Sequence, residues 1–398
     1  MTPLKALPPL RVLVTQGSMK HSVGLIRHLS IKGHMVFAAV EPDDPRPHVR
    51  HSRYCAGVVR LPQGEEKPFI DALVTLLEKE PFDVLVPMGF PVTRFVARNL
   101  ERLRPLVGVA APGPALELLA GDKFAISERA RMLNVGTPST ILLDSTKDLR
   151  AQIDGVVRLP VIVKGRGESP KGIVVRVDEW GDERERLDAR LRHVAPGILR
   201  VPLVAQEYVP GWGCGFFATY DRGRCRRVFM HRRIREWPPS GGASSCAQSF
   251  RDSKLAAAGR RLFDGLQWHG IAMAEFRFDE RDEQFKLIEV NAKFWGSLEL
   301  ALAAGADFGE DYLRLALGEP LEFHDDYSDV TFQWFLGGDL RHAIQRPRQA
   351  FAVAATLFRK GVLTDLSPDD PSLLAARVYS FARRSIRGAL RRTSWNRE

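Results

Sequence analysis

The sequence predicts an α/β domain, then an α+β domain, then a basic helical extension, and three observations predict that order. Up to about residue 115, strand-like apolar runs alternate with helix-like amphipathic ones, as in "RVLVTQG" and "HMVFAAV" on either side of a helix. From Ala120 the texture changes to apolar alternating runs joined by tight polar turns, the mark of antiparallel hairpins. The end of the chain gathers charge: Arg341 to Glu398 holds twelve Lys plus Arg against four Asp plus Glu, which is +8 of the formal +10. A chain of 398 residues is long for one core. The expected partition is 1–115, 116–325 with a small lid over about 150–208, and 326–398.

The first helix carries Leu25, Ile26 and Leu29 on one side and stops at Gly33. A helix near Phe69 to Glu80, the strand "FDVLVPMG", another helix and "LVGVAAPG" continue the alternation, so an open parallel sheet covered on both faces is expected. The turn "TQGSMKHSVG" lacks the close G-x-G-x-x-G spacing, which favours a structural role over a dinucleotide site with Glu41 as the ribose acid. Asp122 is placed to cap a helix that leaves through Gly136 to Pro138. The strands "RLPVIVKGRG" and "KGIVVRV", a charged helix (Asp182 to His193) and "PLVAQEYV" follow. Next come "GFFATYD" and "RRVFMHRRIREW", turned at Asp221 to Gly223, a Gly/Ser-rich loop "PPSGGASS", a helix (Ser253 to Gly265) and the hairpin "IAMAEFRFDERDEQFKLIEVN".

Composition narrows the class. With 44% hydrophobic and 27% charged residues the chain reads as globular, and no run of 18 apolar residues occurs, so a cytoplasmic protein is expected. Cys55, Cys214, Cys225 and Cys246 show neither CxxC pairing nor nearby His at metal spacing, so reduced thiols are expected. Outside the tail the chain is close to neutral, which argues against nucleic acid as a partner.

The chemistry gathers in three places. "FKLIEVNAKFWGSL" carries Glu289, Asn291 and Lys293 at every second position, hence on one face of a strand. If the loop around Asp282 holds an odd number of residues, Glu275 sits directly opposite Glu289. Paired carboxylates repel unless a cation lies between them, and two carboxylates plus an amide suit Mg²⁺; a solvent-facing edge with ordinary charges is the other reading. In "VKGRGESPKGIV", glycines 165, 167 and 172 allow backbone to approach phosphate beside Lys164, although a plain hairpin turn would serve as well. In "HRRIREW", alternation puts His231, Arg233 and Arg235 on one face, where guanidinium forks could hold carboxylate or phosphate, or face water.

Taken in order, "GDKFAISERARMLNVGTP", "LPVIVKGRGESPKGI", "AQEYVPG", "AMAEFRFD" and "LIEVNAKFWGSLELALAAGAD" resemble the successive signatures of the ATP-grasp superfamily, in particular its carbamoyl-phosphate-synthase-like and carboxylate-amine ligase members. The resemblance covers roughly Leu7 to Pro320 and implies a pre-ATP-grasp α/β domain followed by the ATP-grasp domain. It implies ATP with Mg²⁺ or Mn²⁺ as cofactors. Lys123 and Lys164 would contact the phosphates, with Gly165, Gly167 and Gly172 in a lid. Gln206, Glu207, Tyr208 and Val209 would form the adenine-side hinge. Glu275, Glu289 and Asn291 would hold the metal, Lys293 would face the transferred phosphoryl group, and Arg233 and Arg235 would steady the acyl phosphate or substrate carboxylate. Trp212 and Cys214 stand where many relatives carry an acid for the ribose.

The implied reaction activates a carboxylate as an acyl phosphate and passes it to an amine, releasing ADP and phosphate. Alternatives are another nucleophile, release of the acyl or carbamoyl phosphate itself, or a nucleotide-binding scaffold associated with a membrane or carrier protein. The implied partners are a small carboxylate and an amine, and a homodimer is compatible. "SLLAARVYSFARRSIRGALRR" reads as a helix with Leu374, Val378, Phe381, Ala382, Ile386 and Leu390 on one half and Arg377, Arg383, Arg384, Arg387, Arg391 and Arg392 on the other. Such a helix would either pack its apolar half on the body, or meet an anionic membrane or an acidic carrier protein, making the enzyme peripheral.

Overall fold

The computed structural model describes residues 5–44, 48–167, 174–178, 201–238 and 242–395, with side chains in the last helix described to residue 383. Its strands are β1 (Arg11–Val14), β2 (Met35–Val40), β3 (Gly57–Arg60), β4 (Val84–Val86), β5 (Thr140–Leu143), β6 (Val161–Gly165), β7 (Val174–Val177), β8 (Leu203–Glu207), β9 (Gly211–Asp221), β10 (Arg224–Trp237), β11 (Ala243–Ser249), β12 (Gly270–Asp279), β13 (Gln284–Asn291), β14 (Thr331–Gln333) and β15 (Val362–Thr364). Compactness divides the chain into two units that interleave along the sequence. One holds Met1–Ala110, His231–Phe250 and Phe294–Glu398; the other holds Ala111–Met230 and Arg251–Lys293.

In the first unit β1 to β4 form a parallel sheet in the order β3-β2-β1-β4. The expected alternation therefore holds, with β3 added; its Gly57, Val58 and Val59 are only half-buried and Arg60 is exposed, so it lacks the fully apolar run that marks β1 and β4. The helix Lys20–Ile31 buries Leu25, Ile26 and Leu29, and Gly33 ends it at φ +95°, a conformation that a side chain would strain. The same unit holds the C-terminal half of β10, which pairs antiparallel with β11; β11 pairs antiparallel with β14, and β14 runs parallel to β15. Here the structure corrects a reading: from Ala243 onward the Gly/Ser-rich "loop" is strand β11. Its serines are not there for flexibility, since Ser245 is fully buried and its hydroxyl donates to Asp339 at 2.9 Å.

The second unit has two sheets. β5, β8, β6 and β7 make an antiparallel sheet in the order β5-β8-β6-β7 over a small apolar core that includes Ile153, Val161, Val163 and Leu203. β13, β12, β9 and the first half of β10 are neighbours in the other. Asp122 caps the helix Lys123–Met132 by accepting from the amides of Phe124 and Ala125, as its position before that helix predicts. The helix Asp182 to His193 and Gly172 lie outside the described residues. No helix among the described residues is long and apolar enough to cross a membrane.

The last helix, Pro371–Trp395, shows a different face from the one expected. Among the described side chains Leu373 is the buried one and Val378 is exposed, while Arg377 turns inward to pair with Asp365 at 2.7 Å. A buried acid outweighs the simple apolar count. Asp369 accepts from Arg27 at 2.8 Å and from the Tyr54 hydroxyl at 2.6 Å, so the chain just before this helix is tied by hydrogen bonds to other residues of the same unit.

Candidate active site

The hairpin of β12 and β13 brings Glu275 and Glu289 into register, directly opposite one another. Counting alone predicts this pairing from an odd loop, and the structure reaches it differently. Asp279 pairs with Gln284, so four residues make the turn, and a bulge at Ile288 supplies the missing step: Phe276 pairs with Leu287 while Glu275 pairs with Glu289. The trio, with Glu289 and Asn291 on β13 and Lys293 just past its end, is a hydrogen-bonded chain. Lys293 Nζ donates to Asn291 Oδ1 at 2.6 Å, and Asn291 Nδ2 donates to Glu289 Oε1 at 3.0 Å.

Two further lysines bear on these carboxylates. Lys164, at the end of β6, is 6% exposed, and burial is the main cause that pushes its pKa down to about 8, against the pull of Glu289 and Glu275. Its ammonium donates to Gln206 Oε1 at 2.8 Å, and Gln206 Nε2 donates to Thr140 Oγ1 at 3.0 Å, so the cation is aimed by a short buried relay. Burial pulls the Glu289 carboxyl upward, but Lys123 and Lys164, with help from Asn291 and Lys293, hold it below the ordinary carboxylate range. Lys123, the first residue of its helix, donates to the Gly167 carbonyl at 3.0 Å. The glycine-bearing loop leaves β6 through Gly165 and is tied down at its start by Arg166, which pairs with Asp122 at 2.6 Å. One unit thus gathers three cations, two facing carboxylates and an amide.

Residues Gln206 to Val209, expected as the hinge, are held by arginines outside the expected site. Arg277 donates to the carbonyls of Val209, at 2.8 Å, and Gly211, and its guanidinium lies 5.7 Å from the centroid of the Tyr208 ring. Arg176 covers the same ring at 4.1 Å. Arg281 bridges Glu207 and Asp279, at 2.7 Å to each. A signal for Arg277 was present: in "EFRFD" it follows Glu275 by two, and so shares its face.

Arg233 and Arg235 belong to the other unit. Arg235 is held at its Nε and Nη2 edge by Asp339, which is fully buried, with contacts of 2.6 to 3.0 Å. Register shifts flank Arg235, so strict alternation fails there. Arg233 donates to the Gly242 carbonyl at 3.2 Å and lies 3.4 Å from Glu236. Around them the unit gathers charges that the sequence did not flag. Lys20 sits 4.6 Å over the Trp334 ring, and burial pushes its pKa down to about 8. Burial, and then Asp365, push Glu299 up to about 7, and it accepts from Trp334 Nε1 at 2.8 Å. His231, 2.8 Å from Ser297 Oγ, is pushed down to about 3 by burial and then by Arg233, so it is neutral.

All four cysteines are free thiols. Among the described residues no group of three or more His, Cys, Asp or Glu could by itself hold a metal ion. An ion at Glu275 and Glu289 would therefore need oxygens from elsewhere, which is the habit of Mg²⁺ in phosphate sites.

No family model and no curated protein matches the sequence. Solved structures do. An L-amino acid ligase from Bacillus licheniformis is 19% identical with a TM-score of 0.60, covering 80% of this chain and 76% of that one. N5-carboxyaminoimidazole synthetase from Staphylococcus aureus is 16% identical with a TM-score of 0.63, over 88% of each chain. The biotin carboxylase domain dimer of the Hydrogenobacter thermophilus 2-oxoglutarate carboxylase, in complex with MgADP and bicarbonate, is 16% identical with a TM-score of 0.62, over 80% and 72%. At these identities the likeness establishes the fold.

Proposed function

We propose that this chain, whose fold is that of the ATP-grasp enzymes, is an ATP-dependent ligase that activates a small carboxylate by phosphoryl transfer and passes the acyl group to an amine. The observation that carries the reading is the Glu275–Glu289 pair, locked in register across a hairpin and faced by Lys123 and Lys164. Two carboxylates would not be placed opposite one another in a half-buried sheet without a cation to share. The names of the similar structures, an amino acid ligase, a carboxyaminoimidazole synthetase and a biotin carboxylase, support the same class of chemistry.

Glu275 and Glu289, with Asn291, would hold Mg²⁺ or Mn²⁺, which when bound neutralises phosphate charge. Lys123 and Lys164 would bind the phosphates, and Gly165 and Gly167 let the loop backbone approach them. The hinge of Gln206, Glu207, Tyr208 and Val209 would receive the adenine. A carboxylate oxygen of the substrate attacks the γ-phosphorus, ADP leaves, and the amine then displaces phosphate from the acyl phosphate. Lys293 would face the charge that develops on the transferred group. Arg233, and Arg235 through the edge that Asp339 does not hold, would bind the substrate carboxylate. A homodimer, like that of the H. thermophilus domain, is compatible with this reading.

Calorimetric titration of ATP with and without Mg²⁺, into wild type and Glu289→Ala, tests it. Metal-dependent binding that weakens at least about tenfold in the variant is expected. Equal, metal-independent binding by both proteins would sink the assignment. A screen of amino acids and small carboxylates for ADP release, with mass spectrometry of the product, identifies the pair that is joined.

A further inference from the structure

A short segment of the first unit carries an apolar stripe on its outer side. The helix Ala350–Leu357 buries only Val353, at 2% exposed, and Gln333 donates to that residue's carbonyl at 3.0 Å. Phe351, Ala354, Ala355 and Phe358 recur at i, i+3, i+4 and i+7, the spacing of a face that normally packs inward, yet all four are exposed. Phe351 is 84% and Phe358 85% exposed, and Ile344, just before this helix, is 64% exposed. The stripe is presented firmly: the buried His342 lies 2.8 Å from the Glu236 carbonyl and 2.6 Å from Gln349.

Charge surrounds the stripe on both sides. From Arg341 to Lys360 there are five Lys plus Arg and no Asp or Glu. Arg346 and Arg348 precede the aromatic pair, Arg359 and Lys360 follow it, and all four are exposed. Exposed apolar residues rimmed by charge mark a binding surface rather than chance.

We propose that this face binds an anionic lipid surface, with Phe351 and Phe358 entering the interface while the flanking cations meet the headgroups. Rings exposed by more than four fifths protrude, whereas a site for a peptide would be a groove that covers its lining residues. A second copy laid symmetrically on the face would set four exposed like charges against four. A membrane interface satisfies both features at once: apolar depth for the rings and negative charge for the rim. The face is independent of the proposed reaction, and differs from the terminal helix, where Arg377 is spent on Asp365.

The test is sedimentation of the full-length chain with phosphatidylcholine vesicles, with and without phosphatidylglycerol. Binding at least about tenfold stronger to the anionic vesicles, and weakened by salt, is expected. Phe351→Ser with Phe358→Ser should lower it about tenfold, as should Arg359→Glu with Lys360→Glu, and neither pair should change the unfolding midpoint, since the side chains touch little. Absence of binding to anionic vesicles, or binding indifferent to both pairs, would overturn the proposal. So would loss of binding on replacing Arg387, Arg391 and Arg392 by Gln with the stripe intact. Self-association, or retention on a polyglutamate peptide, that the serine pair abolishes without any vesicle binding would assign the face to a protein instead.

Discussion

Replacing Lys164 by Met removes a cation that is costly to bury and, on the proposed reading, needed for ATP. The fall in its pKa from 10.5 to about 8 corresponds to about 3 kcal/mol against the buried ammonium. Methionine relieves that cost but leaves Gln206 Oε1 without its donor, a loss of about 1–3 kcal/mol. The two nearly cancel at pH 7, so the stability of the variant should stay within about 2 kcal/mol of wild type. Binding should not survive so well: a charged hydrogen bond to phosphate is worth about 1.5–3 kcal/mol, or about 10- to 150-fold in the ATP dissociation constant. The sign of the pH dependence is set as well. Below pH 8 the lysine is protonated both folded and unfolded and its cost is fully present; between 8 and 10.5 the folded lysine loses its proton first, and the cost disappears. Urea unfolding should therefore show the variant's advantage shrinking as pH rises across that window, while calorimetry at pH 7 reads the loss of ATP affinity. An unchanged ATP affinity, or a stability difference that ignores pH, would refute the reasoning.

Asp339→Asn should destabilise the first unit by about 3–5 kcal/mol in urea unfolding, because it leaves the nearly buried guanidinium of Arg235 without its counter-charge. Glu299→Gln should act with pH. The folded carboxyl titrates near 7 rather than 4.5, so its burial costs up to about 3 kcal/mol above pH 7 and nothing below 4.5. The variant should thus be more stable than wild type at pH 8 and no better at pH 4, as read by denaturant midpoints. Gly211→Ala should cost about 1–3 kcal/mol and lower the thermal midpoint, since Gly211 sits at φ +112° and a Cβ there would run into the Phe278 carbonyl.

What could be read from sequence was what neighbours along the chain decide. Asp122 as a cap, Gly33 as a stop and the alternation of Glu289, Asn291 and Lys293 all act within a few residues, and all are found in place. Counting across a turn was less secure. The Glu275–Glu289 pairing came out right although the loop is even, because alternation specifies faces while a bulge is free to change the count. Strand β11 was lost for a related reason. Its serines look like loop residues until Asp339, 94 positions away, accepts from one of them. The same holds for the charges of the first unit. Lys20, Glu299 and Asp365 come from three distant parts of the chain and become informative only once burial sets Lys20 and Glu299 near neutral pH. A carboxylate dyad on one hairpin advertises itself locally, and therefore the metal half of the proposed site could be named before the fold was known. Arg235 of β10 is governed by a partner 104 positions further along the chain, so the part proposed for it in binding substrate has to be argued from the folded molecule: Asp339 fixes Arg235 as a fork, and on that proposal a fork that cannot rotate would discriminate among carboxylates by position as well as by charge.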